Sequence, residues 1–342
     1  MINSRTLRSI AVVGTLLAAV GLSGGLASQA QAASDETYTI AVIGDVPYGA
    51  PLIAHFPAFI SQINADPDVR MVTHLGDIKN GSTVCSDQYF DLIYQDFAQF
   101  RRPLVYTPGD NEWTDCHRAN NGAYNPLERL AKIRSEFFAR PGKTLGQQSV
   151  AVKSQDGLGL PENVRYTRND ISFAAINIPG SNNSMLPWTG LGYTSPTPEQ
   201  VQEVNSRTAA DIELIHDTFV QAKADRNRAV VLQTQADMFD PTVSSPQFSD
   251  YSAFKPIVQA IIDEASGFNG PVYLFNGDSH VYNQDHPLAA GSSWLSFYGV
   301  TGTADNLTRI TVNGSDLGEI GWLKVTTHSV GQPLTWQQIP AS

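Results

Sequence analysis

The sequence is poor in positive charge, with 22 Lys and Arg against 33 Asp and Glu and a formal charge of −11. A phosphate backbone is bound through a basic footprint, so this balance argues against sequence-independent nucleic-acid binding. There is no internal repeat and no Pro- or Ser-rich linker that would force a domain cut, so residues 33–342 read as one domain. Residues 33–342 contain no Gly-x-Ser-x-Gly elbow, the usual mark of one large class of serine hydrolases. Long apolar runs are also missing, except for Ile10 to Leu22 near the N-terminus. That run follows Arg5 and Arg8, is interrupted by Gly14 and Gly21, and precedes the small-x-small site Ala30-Gln31-Ala32. The pattern is that of a secretory signal peptide spanning residues 1–32, which leaves a secreted mature chain with no membrane span. Its removal would take away two Arg and no acids, moving the formal charge from −11 to −13. Cysteine is scarcest of all, with only Cys85 and Cys116. An even pair in an oxidising compartment favours one disulfide.

What the sequence does have is one phrase repeated four times. An apolar run ends in Gly-Asp at TIAVIGD (Asp45), MVTHLGD (Asp77), LVYTPGD (Asp110) and VYLFNGD (Asp278), and no other Gly-Asp pair occurs. Short apolar runs bounded by Gly read as buried strands, which puts each Asp just past a strand's carboxyl end, the edge where open α/β sheets bind ligands. The cysteines lie eight residues after Asp77 and six after Asp110, so a bridge would staple those two loops together.

Strands are expected at Thr37–Ile43, Met71–Leu75, Leu104–Thr107, Ala229–Thr234 and Val272–Asn276, alternating with helices near Leu52–Asn64, Asp87–Phe100, Pro126–Phe138 and Ser252–Ala265. Such alternation implies βαβ units. A long helix has a capping-box start at Thr197-Pro198-Glu199-Gln200. Val164–Arg168 and Ile171–Ile178 form a hairpin across Asn169-Asp170. Arg140 to Leu160 reads as loop. The Gly-, Pro-, Ser- and Asn-rich stretch from Ile178 to Pro198 reads as a long loop, a functional rim or a flexible cover. Trp294–Tyr298, Thr308–Val312, Gly321–Val325 and Leu334–Gln338 are expected to be antiparallel strands.

Four carboxylates at one sheet edge raise one another's pKa and destabilise the fold unless a cation compensates them, and a metal pair is the usual answer. The ordered set Asp45, Gly76-Asp77, Gly109-Asp110-Asn111-Glu112 and Gly277-Asp278-Ser279-His280 resembles the calcineurin-like metallophosphoesterase superfamily. The resemblance covers about Thr37 to His280. It implies an α/β fold of two mixed β-sheets packed as a sandwich and flanked by helices, in four α/β/β/α layers. It also implies a dinuclear centre activating a hydroxide for in-line attack on a phosphate ester. Carried across, Asp45 matches the first-metal ligand, Asp77 the bridging carboxylate, Asp110 the family's Asn ligand, Asp278 the first His of Gly-His-x-His, and His280 the second. Gln235 stands where a lone His is usual, Asn111 where the catalytic His is, and Pro47 where Asp-x-His has its His.

This donor set is rich in oxygen, which suits Mg²⁺, Mn²⁺ or Ca²⁺ ahead of Zn²⁺ or Fe. Asn111 can donate a hydrogen bond but not a proton, so Glu112, His117 and His74 are the candidate acids, and Asn111, Glu112 and His280 the expected catalytic set. Lys79 and Arg118 are the candidate phosphate contacts, and Tyr48 and Trp113 the candidate pocket walls. The substrate class is a small phosphate ester. Two other readings compete: a phosphoesterase fold that binds metal or ligand with little or no catalysis, and a serine esterase suggested by Gly277-Asp278-Ser279, which resembles the GDSL block. The latter lacks the Asp-x-x-His pair that should follow.

Overall fold

The computed structural model describes residues 35–315 and 320–341, and the segment expected to be a signal peptide lies outside them. The chain builds one sheet, crosses to a second, and returns to the first. β1 (Thr37–Ile43) leads through α1 (Gly49–Ala65) to β2 (Val69–His74), and α2 (Asp87–Phe97) leads to β3 (Leu104–Tyr106). Both helices follow from local chemistry. α1 buries Phe56, Phe59, Ile60 and Ile63, at helical spacing, and Ser86 caps α2 by accepting from the Tyr89 N–H. α3 (Pro126–Phe137) begins at an Asn125 cap with Pro in its first turn.

The second sheet opens with β4 (Lys153–Gln155), β5 (Leu160–Arg168) and β6 (Ile171–Ala175). After the five-residue element α4 (Gly180–Ser184) comes the long helix α5 (Pro198–Asp225), whose Thr197–Gln200 capping box is present. β7 (Ala229–Gln233), α6 (Lys255–Ser266), β8 (Val272–Asn276), β9 (Asn283–Asp285), α7 (Ser293–Tyr298) and β10 (Leu307–Thr311) complete it. β11 (Gly321–His328) and β12 (Leu334–Pro340) then rejoin the first sheet. The orders are β12-β11-β1-β2-β3 and β4-β5-β6-β7-β8-β10-β9, and both sheets mix parallel and antiparallel pairs.

Period-two patterning explains the layering. Ile40 and Val42 of β1 share a core with Val231, Tyr273 and Phe275 of the other sheet, whereas Ala41 and Ile43 face α1 and α2. Likewise Val230, Leu232, Val272 and Leu274 pack under α5 and α6. Each sheet is therefore covered by helices on one face and by the other sheet on the second. This is the α/β architecture of two mixed sheets flanked by helices.

Three expectations change. Trp294–Tyr298 is helical: Ser292 caps it, Gly299 ends it at φ 59°, and Trp294, Phe297 and Tyr298 lie on one face against Phe239 and Tyr251. Six residues so rich in aromatics carry too little periodicity to tell a strand from a helical turn. β10 runs parallel to β8 and antiparallel only to β9. Within the stretch read as loop, Lys153–Gln155 pairs with β5 as an edge strand.

Cys85 and Cys116 form a disulfide with Cα atoms 5.8 Å apart. It joins the loop after β2 to the loop after β3. Cross-linking positions 31 residues apart restricts the unfolded chain by about 3–4 kcal/mol. Replacing both cysteines by serine is expected to lower stability by that amount in urea titrations; a loss below about 1 kcal/mol would show that other contacts hold the loops.

Candidate metal centre

The parallel strands end level with one another: Ile43 pairs with His74, His74 with Tyr106, Gln233 with Phe275, and Asn276 with Thr311. The segments that follow therefore meet at one edge shared by the two sheets, and all four Gly-Asp pairs arrive there. The pairing of residue types has a physical reason. A Cβ on Gly277 would collide with the Asp45 carboxylate, and one on Gly109 with that of Asp77, so the glycines let these carboxylates lie against the backbone. Asp45, Asp77 and Asp278 adopt φ of 54°, 55° and 75°, a left-handed conformation that Asp tolerates better than most residues.

Two sets of donor atoms result. Asp45, Asp77 and His280 present ligand atoms all within 4.8 Å of one another, and so do Asp77, Asp110 and Asp278. Asp77 belongs to both. The Tyr48 hydroxyl lies inside the first set, 3.1 Å from Asp77 Oδ2, 3.4 Å from Asp45 Oδ1 and 3.3 Å from His280 Nε2. Asn111 donates from its side chain to Asp77 Oδ2 (2.7 Å) and from its backbone to Asp77 Oδ1 (3.2 Å). The Asp278 N–H donates to Asp45 Oδ1 at 3.0 Å, and the Asp237 N–H to Asp278 Oδ2 at 3.0 Å.

Asp45, Asp77 and Asp110 are buried, and Asp278 is half-buried. Burial, and then the charges of Asp110 and its neighbours, push Asp77 and Asp278 well above the usual carboxylate range. Burial raises Asp45 too, with His280 pulling the other way. Asp45 Oδ2 is buried without a hydrogen-bond partner. A buried, unsatisfied oxygen within a crowd of carboxylates is the environment a divalent cation relieves, and the donor set of carboxylates, one phenol and one imidazole fits such an ion.

Several expected site residues have other work. Gln235 turns its amide nitrogen to Asp110 Oδ1 (3.2 Å) and its oxygen to the Gly180 N–H (2.6 Å), so it orients Asp110 rather than offering an oxygen to the centre. Glu112 is buried beneath the loop, accepting from Gly109 N (2.6 Å), Asp77 N (3.2 Å) and the Tyr106 hydroxyl (2.8 Å), and burial lifts it to about 7. Lys79 has no exposed surface; it donates to the Asn80 and Asn111 carbonyls at 2.9 and 2.7 Å, and burial lowers it to about 8. It fastens the loop from below.

Arg118 stands at the rim, 43% exposed and 2.7 Å from Asp115. Trp113 is core, stacked beneath Arg207 at 5.5 Å. His74 and His117 are both held near 4, chiefly by burial, which removes them as proton donors near neutrality. The Ser279 hydroxyl donates to the Asp237 carboxylate, Oδ2, at 2.8 Å, whereas a serine-esterase nucleophile would be directed at an imidazole.

The turn Gly180–Ser184 was legible only as a rim. Ser181 through Ser184 have φ between 50° and 67°, a left-handed turn of four non-glycine residues. The Ser181 hydroxyl lies 2.9 Å from Asp110 Oδ2 and 2.8 Å from Asp115 Oδ1, and a Cβ on Gly180 would meet Asp110 Oδ2 at 2.6 Å. Strained backbone of this kind persists only where surroundings enforce it. Here Arg207 does so, donating to the Asn177 and Asn183 carbonyls at 2.9 and 3.0 Å. The run of Gly, Ser and Asn straight after a strand was the available signal.

No protein-family profile matches the sequence, and no curated protein matches it either. Some solved structures are similar to it at low identity. One is GAP50, the anchor in the inner membrane complex of Plasmodium, with 10% identity and TM-score 0.44, covering 90% of this chain and 89% of that one. Another is the purple acid phosphatase PPD1 from yellow lupin (Lupinus luteus) seeds, with 13% identity and TM-score 0.46 over 89% of this chain and 54% of that one. This chain thus spans about half the length of the lupin protein. At such identities the chemistry has to be read from this chain's own side chains. Among the described residues, no helix is long and apolar enough to cross a membrane.

The raised carboxyls have a signed consequence. A carboxyl whose folded pKa exceeds its unfolded value near 3.9 keeps its proton longer in the folded state, so stability falls as pH rises from about 4 towards the folded value. Without metal, the melting temperature should decline between pH 5 and 8. A divalent cation takes the place of those protons, so the increase in melting temperature on adding Mn²⁺ should be larger at pH 8 than at pH 5. An equal shift at both pH values, or none, would contradict the grouping.

Proposed function

We propose that this chain is a secreted metal-dependent phosphoester hydrolase with a dinuclear centre. The observation that carries the reading is the pair of ligand triads sharing Asp77. Asp45, Asp77, His280 and Tyr48 would hold one ion, and Asp77, Asp110 and Asp278 the other. When bound there, such ions would supply Lewis-acid polarisation of a phosphoryl group and a lowered pKa for water. Oxygen donors outnumber nitrogen, which favours Mg²⁺, Mn²⁺ or Ca²⁺.

The chain's own groups orient this centre. Asn111 fixes both oxygens of Asp77 and so sets the shared ligand. Gln235 and Ser181 fix Asp110 from two sides. Arg118, exposed at the rim beside Asp115, would contact a phosphate oxygen in this reading. Hydrolysis adds water across the P–O bond: the water oxygen joins phosphorus, and the ester oxygen departs with the bonding electrons. Asn111 cannot supply a proton to it, so good leaving groups such as aryl oxides suit the site. Residues 33–342 act as one domain in this reading, after cleavage near Ala32.

The test is hydrolysis of p-nitrophenyl phosphate and its bis-ester by protein treated with chelator and then given back Mn²⁺, Mg²⁺ or Ca²⁺. Activity should vanish with chelator and return with metal. Asp77→Asn should cut it about a thousandfold and lower the metal content from two ions per chain. Near-normal rates in that variant would remove Asp77 from its shared role, and no turnover with any of the three ions would refute the reading.

A further inference from the structure

Gly81, in the loop after β2, leaves a notch between two polar side chains. Apart from its chain neighbours, a Cβ built on it would meet two atoms within 4 Å among the described residues: Asn111 Oδ1 at 3.3 Å and Arg118 Nη1 at 3.5 Å. Its φ is not positive, so the glycine provides room here rather than an unusual backbone. The surrounding loop is pinned. Lys79 donates to the Asn80 and Asn111 carbonyls at 2.9 and 2.7 Å, Asn80 Oδ1 accepts from the Ser82 and Thr83 N–H groups at 3.1 and 2.9 Å, and Asn120 donates to the Gly81 carbonyl at 3.2 Å.

The two atoms facing the notch are complementary in kind. The Asn111 amide nitrogen is committed to Asp77 Oδ2 at 2.7 Å, which leaves its oxygen on the Gly81 side, and that oxygen accepts no hydrogen bond among the described residues. Arg118 gives Nη2 to Asp115 Oδ2 at 2.7 Å and leaves Nη1 towards the notch. A free acceptor and a free donor therefore border one space, a single amide group away from the carboxylate shared by both triads. Besides water, the group that satisfies both is a hydroxyl, accepting from Nη1 and donating to Oδ1. A bare anionic oxygen would set its lone pairs against those of Asn111. Among phosphate esters, a monoester carries such a hydroxyl, its P–OH, up to a second pKa of about 6, whereas a diester has none.

We propose that Gly81 is a specificity-determining residue, whose notch seats the P–OH of a phosphate monoester between Arg118 Nη1 and Asn111 Oδ1. This rests on the phosphoesterase reading above. Water is the only co-reactant: its oxygen joins phosphorus, the ester oxygen leaves with the bonding electrons, and the products are inorganic phosphate and an alcohol or phenol.

Binding tests the seat without turnover. Calorimetry at pH 6 on Mn²⁺-loaded protein compares inorganic phosphate, which carries a P–OH, with sulfate, an ion of the same shape that carries no proton at that pH. Phosphate should bind about tenfold more tightly or better, and Gly81→Ala, which fills the notch, should shrink the phosphate-to-sulfate ratio at least several-fold. A ratio near one in the native chain, or one that the variant leaves unchanged, overturns the proposal. Turnover supplies the second readout, since p-nitrophenyl phosphate and methyl p-nitrophenyl phosphate share a leaving group and differ by the methyl that replaces the P–OH proton. The native chain should favour the monoester in kcat/KM by about tenfold or more, and Gly81→Ala should reduce the monoester at least several-fold while changing the diester by less than about twofold. Equal losses on the two esters, or a diester turned over faster by the native chain, also overturn it. Gly81→Ser, which places its own side chain in the notch, should act in the same direction and serves should the alanine variant fold poorly. If neither ester is hydrolysed, the phosphoesterase reading fails; a phosphate preference that Gly81→Ala removes would still uphold the seat, and one that it leaves intact would not.

Discussion

Mutual repulsion among buried carboxylates is the constraint around which this fold is arranged. Four of them converge where two sheets meet, three buried and Asp278 half-buried, where water screens them poorly. Nothing in ordinary packing favours such a meeting. The chain nevertheless devotes its most exacting local structure to it, with glycines whose lack of a Cβ admits the carboxylates and aspartates held at positive φ. Expenditure of this kind is what functional sites look like when stability alone is not the object of selection.

Behind the carboxylates stands a support that is almost entirely polar and buried. Glu112 gathers the N–H groups of the Asp77 and Asp110 turns, and Lys79 holds the Asn111 carbonyl, against which both disulfide sulfurs also lie at 3.6 and 3.7 Å. On the other flank, Arg207 enforces the left-handed turn that carries Ser181. Buried polar networks of this type fix geometry more sharply than apolar packing, because each misplaced group would be left unsatisfied in a low-dielectric interior.

Much of this was legible in the sequence, for reasons specific to the elements concerned. β1, β2, β3 and β8 are short apolar runs closed by Gly-Asp, and apolar runs with glycine punctuation report strand ends well. The loop-to-loop cysteine pair followed from spacing and is formed. What escaped was orientation. Lys79 sits two residues from Asp77, yet it points beneath the loop; Tyr48 sits three from Asp45 and points into the centre rather than walling a pocket. Neither direction is written in composition or periodicity. The turn at Gly180–Ser184 was hidden more deeply, since its left-handed form depends on Arg207, more than twenty residues further along the chain. α7 was misread because its aromatics satisfy a strand pattern as readily as one helical turn.

Asp77 belongs to both ligand triads, and that membership is a thermodynamic coupling as well as a geometric one. An occupant of either triad changes the charge and orientation of the one carboxylate the other also needs. Affinities linked in this way are reciprocal, whatever the sign: the factor by which the first occupant helps or hinders the second is the factor by which the second acts on the first. The two triads therefore cannot be tuned separately, and any change to the loop that carries Asp77 alters both at once.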